Sequence, residues 1–442
     1  MRFLGVTETC DLGALYLRLA EAGHEVKVSV NEPLAQGTLA GLVDRAADWR
    51  TELDWINEAG EDGIILFEAV SDGLGALQDR LRCDGYKVIG GSAFGDRLEN
   101  DRAYALDLLA ELGFPAGHVW EFSDGAAADA FVRARPARYV LKFSGADHSS
   151  GDTFVGQHRD GRDIRAMLAA RLRQRNGGEQ ESAPIRFILM EHVDGVEMGV
   201  GAYFDGRRFL TPACLDWEHK KFFAGDLGEL TGEMGTVATF DRSGRFFERT
   251  LKLLEPKLSE AGHVGYINLN TIVNEDGIWP LEFTTRFGYP GFAVLDPLQE
   301  TGWAELFRMM ATGLGGDGFT ARPGFTVGIV LTTPPFPYSR KDVDEAVGLP
   351  ILFDERMDEE DRRNVHYGEV GLEGDQLVTS GLYGWTMVVT GLAATIADAQ
   401  VEAYRRARRI SIPNGRYRLD IGTRLIEGDF ARLERMGFLD PD

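Results

Sequence analysis

The stretch PLEFTTRFGYPGF, residues 280–292, runs as a short apolar strand into an acid, two threonines and an arginine. A strand that aims one carboxylate, Glu282, and one guanidinium, Arg286, at the same small space implies that something anionic, alone or metal-bound, sits there. Working outward, YINLNTIV and IWPLEFTT read as two strands paired across the turn NEDG. Strand side chains repeat every two residues, so Glu282 and Thr284 share a face, and Asn270 on the neighbouring strand is predicted to converge with them. Oxygen donors of this kind suit Mg²⁺ (or Mn²⁺), which typically takes one or two carboxylates plus phosphate oxygens and keeps its waters.

With 442 residues the chain is too long for one core and is expected to split into three or so domains. A 44% hydrophobic, 26% charged composition is that of a soluble globular protein. No apolar run reaches the roughly 18 to 20 residues needed to cross a bilayer, and the start reads as strand, turn and helix, so a cytoplasmic location with no membrane partner is expected. A net charge of −23 argues against nucleic acid as a generic partner. Cys10, Cys83 and Cys214 have no CxxC spacing, which points to reduced structural residues. No heptads indicate a stable coiled-coil dimer; monomer and homodimer both stay open.

Residues 1–95 alternate strands (RFLGV, EVKVSV, GIILFEA, YKVIGG) with the helix LGALYLRLAEAG, a small βαβ layer over a parallel sheet. The first turn, VTETCDLGA, lacks the glycines of GxGxxG, so a dinucleotide reading is weak. GDRLENDRAYALDLLAELGFPAG reads as one amphipathic helix stopped by Gly113 and Pro115. RYVLKFS follows as a strand, then a glycine- and serine-rich stretch, a helix, and the polar connection QRNGGEQESAP. IRFILMEHVDG, EMGVGAYFDG and RRFLTPAC read as antiparallel strands with Asp-Gly turns, and residues 244–262 as a helix. From about 325 a last module holds short strands and the helix IADAQVEAYRRARRI.

Three further places carry chemistry. Lys142 sits mid-strand before a glycine-rich stretch, where it can reach phosphate oxygens; alone it reads as readily as a solvent-facing lysine. ILMEHVDGVE offers main chain at Glu191, His192 and Val193 for an adenine edge, and Glu197 for ribose hydroxyls; the alternative is an ordinary hairpin with solvated acids. DWEHKKFFAGDLGELTGEMGT carries His219, Lys220 and Lys221 before a glycine-rich stretch whose N–H groups can cradle a substrate, or else form a surface loop.

Taken in order, these pieces resemble the ATP-grasp ligases, and most closely the phosphoribosylamine–glycine ligases. The helix opening on ND and Arg102 stands where the family has a nucleotide-contacting lysine, and YVLK precedes a glycine-rich lid. MEHVDGVE resembles an EEFLxGxE-like run, EHKK…GELTGEMGT resembles DHKR…TGGMGA, and LEFTTRFGYP resembles LEFNCRFGDP. MVVTGLAATIADAQVEAYRRA and YRLDIGTR are similar to the family's closing helix and YRxDIG tail. The resemblance implies an α/β and α+β, ATP-grasp fold in four parts: an N-terminal Rossmann-like βαβ domain (1–95), a core (96–117 and 192–324), a lid (118–191) and a C-terminal domain (325–442). It implies that ATP is clamped between two antiparallel sheets and that a substrate carboxylate is activated as an acyl phosphate, which an amine then converts to an amide. It further implies ATP contacts by Arg102, Lys142, Glu191, His192, Val193 and Glu197. Glu282, Asn270 and Thr284 would line the metal, with catalytic roles for Arg286 and Lys220. Around the substrate it implies His219, Lys221, Gly232, Met234, Gly235 and Tyr289.

The chain departs from the family where the substrate would lie. The GGREH-type turn is TETCDLG here and the PGNAGT-type loop is EPLAQGT, so the phosphoribosyl end of the amine loses its expected holders. SSGDTFVG puts Asp152 near the expected second lid lysine, which would repel phosphate. Thr284 replaces an asparagine, and GYPG replaces GDPE, which points to a different, less cationic acceptor. The implied function is an ADP-forming carboxylate–amine ligase with its own small-molecule substrates. Genuine phosphoribosylamine–glycine ligation, and a degenerate nucleotide-binding sensor or partner-binding module, are the alternatives.

Overall fold

The computed structural model describes residues 1–69, 73–115, 117–144, 153–176, 186–313 and 318–441. Asp152, most of the glycine- and serine-rich stretch and most of the polar connection lie outside the described residues.

The amino-terminal strands form a five-stranded parallel sheet in the order Asp44–Arg45, Glu25–Val30, Arg2–Thr7, Gly63–Phe67, Lys87–Ile89. The first of these is a two-residue edge that the sequence pattern does not announce. Near-continuous apolar runs such as Gly63–Phe67, buried throughout, are what a sheet covered on both faces requires. The helix Gly13–Glu21 covers one face, and Tyr16 reaches under the sheet because Gly5 has no side chain: a Cβ there would lie 2.5 Å from the Tyr16 ring.

The two antiparallel layers are distinct. A four-stranded sheet runs Val119–Phe122, Arg186–Glu191, Tyr139–Ser144, Phe154–Val155. An eight-stranded sheet runs Gly277–Thr284, Val264–Asn274, Val196–Asp205, Phe209–Glu218, Gly235–Thr239, Phe325–Thr332, Trp385–Ala393, Val365–Tyr367. A boundary at 325 therefore falls inside one continuous sheet: Gly235–Thr239 pairs directly with Phe325–Thr332. ILMEHVDG and EMGVGAYFDG, expected as neighbouring strands, belong to different sheets, with residues 192–195 crossing between them.

Two expected helices are broken. The 96–117 segment is Ala93–Asn100 followed by Arg102–Glu111; Asp101 leaves helical geometry (φ −101°, ψ 87°) and its carboxylate accepts the Tyr104 amide at 3.0 Å, an N-cap that restarts the helix. The 244–262 segment splits into Gly244–Arg249, a 3₁₀ turn Leu251–Leu254, and Glu255–Glu260. There Thr250 leaves helical geometry while its hydroxyl bonds back to the Phe246 carbonyl, and Pro256 suits the start of the next helix. The last long helix stops at Ala407, and Ile410–Ser411 becomes a strand.

Glu68 sits fully desolvated behind the first turn. It accepts hydrogen bonds from the Thr7 hydroxyl (2.7 Å), the Tyr16 hydroxyl (2.6 Å) and the Leu12 amide (3.3 Å). Burial, and then the charge of Asp11, push its carboxyl up to about 7 despite these donors. Its folded value is raised above the ordinary 4.5, so its contribution is fully present below about pH 4.5 and is lost as pH rises towards 7. Glu68→Gln should therefore gain stability relative to the native chain between pH 5 and 8, by on the order of 3 kcal/mol. Melting curves of both proteins at the two pH values check this; a difference that does not change with pH would contradict it.

Candidate active site

Residues 216, 218 and 220 alternate along the end of the strand Phe209–Glu218 and just beyond it, and their side chains share one face. Lys220 Nζ lies 2.8 Å from Glu282 Oε1, 3.0 Å from Glu218 Oε2 and 3.7 Å from Glu197 Oε1. Burial works to lower this lysine, but Glu218, Glu282 and Glu197 outweigh it and hold the ammonium well above its usual range. Lys220 reciprocally draws Glu282 below the ordinary carboxylate range, against the effect of burial. Asn270 stands directly across from Glu282 in the strand register, beside a bulge. Its amide donates to Glu197 (2.8 Å) and Glu218 (3.3 Å). Thr284 pairs instead with Asn268, one step further along.

Above this cluster, the four-stranded and eight-stranded sheets enclose a largely apolar cavity of about 300 Å³, walled by Val140, Met190, Val193, Ile272 and Leu281. Lys142 enters it from the same face of Tyr139–Ser144 as Val140, while Tyr139 and Leu141 pack into the apolar cluster with Ile164 and Leu189. Burial, then the nearby Arg102 charge, push Lys142 down to about 8, with Glu282 opposing. Arg102 lines the same cavity; one of its amino groups contacts Met190 Sδ at 3.7 Å, and its buried Nε has no hydrogen-bond partner among the described residues. Two cationic groups beside an apolar slot, one with an orphaned donor, are what a polyanion on a flat ring would satisfy. Glu197 borders the slot. Of the three candidate main-chain positions, Glu191 and His192 already donate their amides to the His118 and Arg138 carbonyls.

Arg286 is steered by a residue that the sequence reading missed. Glu99 takes its Nε at 3.3 Å and also accepts from the Thr285 amide (2.7 Å) and hydroxyl. Arg286, Thr284 and Tyr289 line a second, deeper cavity of about 60 Å³ with Asp216, Glu218 and Glu233. Tyr289 stacks on Trp385 at 4.7 Å between centroids. Burial, joined by neighbouring acid charge from Glu218, holds Asp216 and Glu233 well above the usual carboxylate range. Asp216, Glu218 and Glu233 were not singled out from the sequence; the alternation D-W-E-H-K carried the signal for the first two, since it puts acids and Lys220 on one face.

The same alternation turns His219 away. His219 is buried on the opposite face, where its Nε2 accepts the Gly422 amide at 3.1 Å, and desolvation, then the Arg418 charge, push it down to about 4. The expected glycine-rich cradle is instead a hairpin, Lys221–Phe223 with Leu227–Leu230, leading into the strand Gly235–Thr239. Lys221 binds the Gly228 carbonyl within that hairpin at 3.1 Å. Met234 packs with Phe222 and Phe336, and its amide is spent on the His219 carbonyl. Gly232 and Gly235 are close-packing positions: a Cβ would lie 2.7 Å from Trp385 and 2.5 Å from the Gly328 carbonyl, respectively. Of that stretch, Lys220 reaches the cluster and Tyr289, from the later segment, reaches the deep cavity.

A divalent ion fits the donor set only in company. Among the described residues no group of three or more His, Cys, Asp or Glu side chains is arranged to hold a metal by itself. The Lys220 ammonium stands as a surrogate cation among Glu197, Glu218 and Glu282. That suits an ion whose remaining ligands arrive as phosphate oxygens and water.

The model of the phosphoribosylglycinamide synthetase ATP-grasp (A) domain matches residues 100–292. The chain is similar to the phosphoribosylamine–glycine ligase of Rhizobium meliloti (28% identity over 363 residues, 80% of this chain and 82% of the relative). It is also similar to that of Listeria monocytogenes (25% over 392 residues, 87% of each). In structure it resembles the Thermotoga maritima phosphoribosylamine–glycine ligase (TM-score 0.70, 18% identity, 95% of this chain and 100% of that one). A further likeness is to the biotin carboxylase domain of Hydrogenobacter thermophilus 2-oxoglutarate carboxylase, solved with MgADP and bicarbonate (TM-score 0.61, 11% identity, 100% and 99%). Among the described residues no helix is long and apolar enough to cross a membrane.

Proposed function

We infer that this chain, an ATP-grasp protein related to the phosphoribosylamine–glycine ligases, is an ADP-forming ligase that joins a small carboxylic acid to an amine other than phosphoribosylamine. The observation that carries the ligase reading is the meeting of Lys142, Arg102, Lys220 and Glu282 where the apolar slot opens onto the acid cluster. The slot takes the adenine, Glu197 the ribose, and Lys142 and Arg102 the phosphates. Mg²⁺ or Mn²⁺ carried by the nucleotide would be held by Glu282, with Asn270 and Thr284 at its rim, and supplies neutralisation of phosphate charge when bound. Glu282 would then be shared between that ion and Lys220, whose ammonium keeps Glu218 and Glu197 and would face the γ-phosphate beside them.

A carboxylate oxygen of the acid attacks the γ-phosphorus, and the bond to the β-phosphate oxygen breaks to release ADP. The amine nitrogen then attacks the acyl carbon, the C–O bond to phosphate breaks, phosphate leaves, and the nitrogen loses a proton. No covalent enzyme intermediate is needed; positioning and charge neutralisation by Arg286 and Lys220 do the work.

The first turn supports a different amine. Its donors are spent on the protein's own acid: Leu12 and Thr7 bind Glu68, and the Cys10 amide binds the Thr7 hydroxyl. Glu68 thus takes donors that a bound phosphate would need, and Asp11 adds negative charge beside it.

Magnesium-dependent ADP release with pooled acids and amines tests the function. Release with no pool component, or with phosphoribosylamine and glycine alone, would contradict it. Lys142→Ala should weaken binding of a non-hydrolysable ATP analogue by about 10- to 100-fold. The native protein's affinity should also fall as pH rises through about 8, where the free lysine loses its charge, and the variant's should not. Calorimetry across that range decides.

A further inference from the structure

The deep cavity beneath Arg286 is lined by three carboxyl groups, Asp216, Glu218 and Glu233. Asp216 is 7% exposed and Glu233 is 3% exposed. Asp216 accepts from the Asn268 amide through one oxygen, and Glu233 from the Thr236 hydroxyl through one oxygen; among the described residues the second oxygen of each has no hydrogen-bond donor. Glu218 is already shared between Lys220 and Asn270. Arg286, the one cation lining this cavity among the described residues, is paired with Glu99. Tyr289 also lines the cavity; its buried hydroxyl has no hydrogen-bond partner among the described residues, and burial, then the charges of Asp11, Glu369 and Glu233, hold it well above its usual range. A void of about 60 Å³ admits a head group of a few heavy atoms, and aromatic walls at Tyr266 and Tyr289 favour a cation over an anion. Desolvated carboxylates with idle oxygens are costly unless a positive charge meets them.

We propose that this cavity takes a cationic nitrogen of the amine substrate, an ammonium or guanidinium carried a short chain away from the nucleophilic nitrogen. Asp216 and Glu233 are its counter-ions, and the Tyr289 hydroxyl accepts one of its hydrogen bonds. Glu233 stands where the related TGGMGA stretch has glycine, so this carboxylate is an addition of this chain. The carboxylates lost when GYPG replaced GDPE are thus supplied again from other strands, and the acceptor is more cationic than the 288–291 segment alone suggests. Which nitrogen reacts rests on the ligase reading above; the cation site itself stands on the cavity.

Two measurements on the full chain test this. In the first, 1,3-diaminopropane and its uncharged isostere 1,3-propanediol are titrated calorimetrically into the native protein, Asp216→Asn and Glu233→Gln. The diamine should bind at least tenfold tighter than the diol, and each variant should lose at least tenfold of that preference while keeping its affinity for the Mg²⁺ complex of an ATP analogue. Both replacements keep side-chain shape and remove a buried ionisable group, so folding is retained, and circular dichroism checks it. Equal binding of diamine and diol, or a preference unmoved in both variants, overturns the proposal. In the second, ADP release with pooled acids is compared for 1,3-diaminopropane and 2-aminoethyl phosphate. A kcat/KM at least tenfold higher for the diamine supports the proposal, and an equal or higher value for the phosphate overturns it while leaving the ligase reading intact. If neither amine stimulates ADP release but the full amine pool does, the proposal is overturned and the ligase reading stands; if the pool fails too, the ligase reading fails, and the calorimetric result alone judges the cavity.

Discussion

Glu282→Ala should reduce magnesium-dependent ADP release by about 10³-fold or more while moving the melting temperature by no more than about 2 °C. The asymmetry follows from where the residue sits. Its side chain is 55% exposed and its one hydrogen bond among the described residues is to Lys220, so the fold loses a partly exposed ion pair of little worth. The site loses the carboxylate that faces Lys142, Arg102 and Lys220 together. Lys220 keeps Glu218 and Glu197, so its charge survives without a route to exchange it for a metal ion. Steady-state ADP release at normal and tenfold-raised magnesium, with thermal melts in parallel, checks both halves. Retained activity at normal magnesium would remove Glu282 from the metal site; a large drop in melting temperature would mean that the residue holds the fold.

The opposite profile is expected of Glu369→Ala. This buried carboxylate accepts backbone amides from Leu382 (2.7 Å), Tyr383 (2.9 Å), Gly384 and Trp385 (3.0 Å), and so shapes the turn that leads into the strand Trp385–Ala393. Removing it leaves several buried N–H groups without an acceptor, at a cost of about 3–5 kcal/mol. Trp385 is the stacking partner of Tyr289, so the deep cavity should loosen with it, and amine affinity should fall before nucleotide affinity does. Denaturant unfolding measures the first effect, and separate titrations of amine and ATP analogue measure the second. Stability within 1 kcal/mol of the native chain would show that water replaces the carboxylate.

Much of the architecture was legible because its signals are local. The period-two alternation of YINLNTIV and IWPLEFTT gave the hairpin that brings Asn270 opposite Glu282. The order YVLK, MEHVDGVE, EHKK, LEFTTR carried the resemblance, although the sheets place these strands in a different spatial order. Helix continuity was misjudged at Asp101 and Thr250, where a side chain competing for backbone hydrogen bonds overrides an amphipathic pattern. His219 and Met234 looked available as glycine-rich-loop residues, yet the strand pleat faces His219 to the C-terminal segment and the hairpin spends the Met234 amide.

The sequence by itself determined most of the longer strands, which residues alternate on each, and that a lysine lies within one strand while an acid and an arginine lie at the end of another. Only the tertiary structure decided which faces meet. Asp216 and Glu233 come from the two ends of one stretch and Tyr289 from a later segment, and sheet register with the packing of the C-terminal strands brings them around one void. Glu68 and Glu369 likewise gain their meaning only from the amides folded around them. Local patterning fixes a side chain's direction within its own strand, whereas the charge it meets depends on contacts between segments that no window of sequence contains.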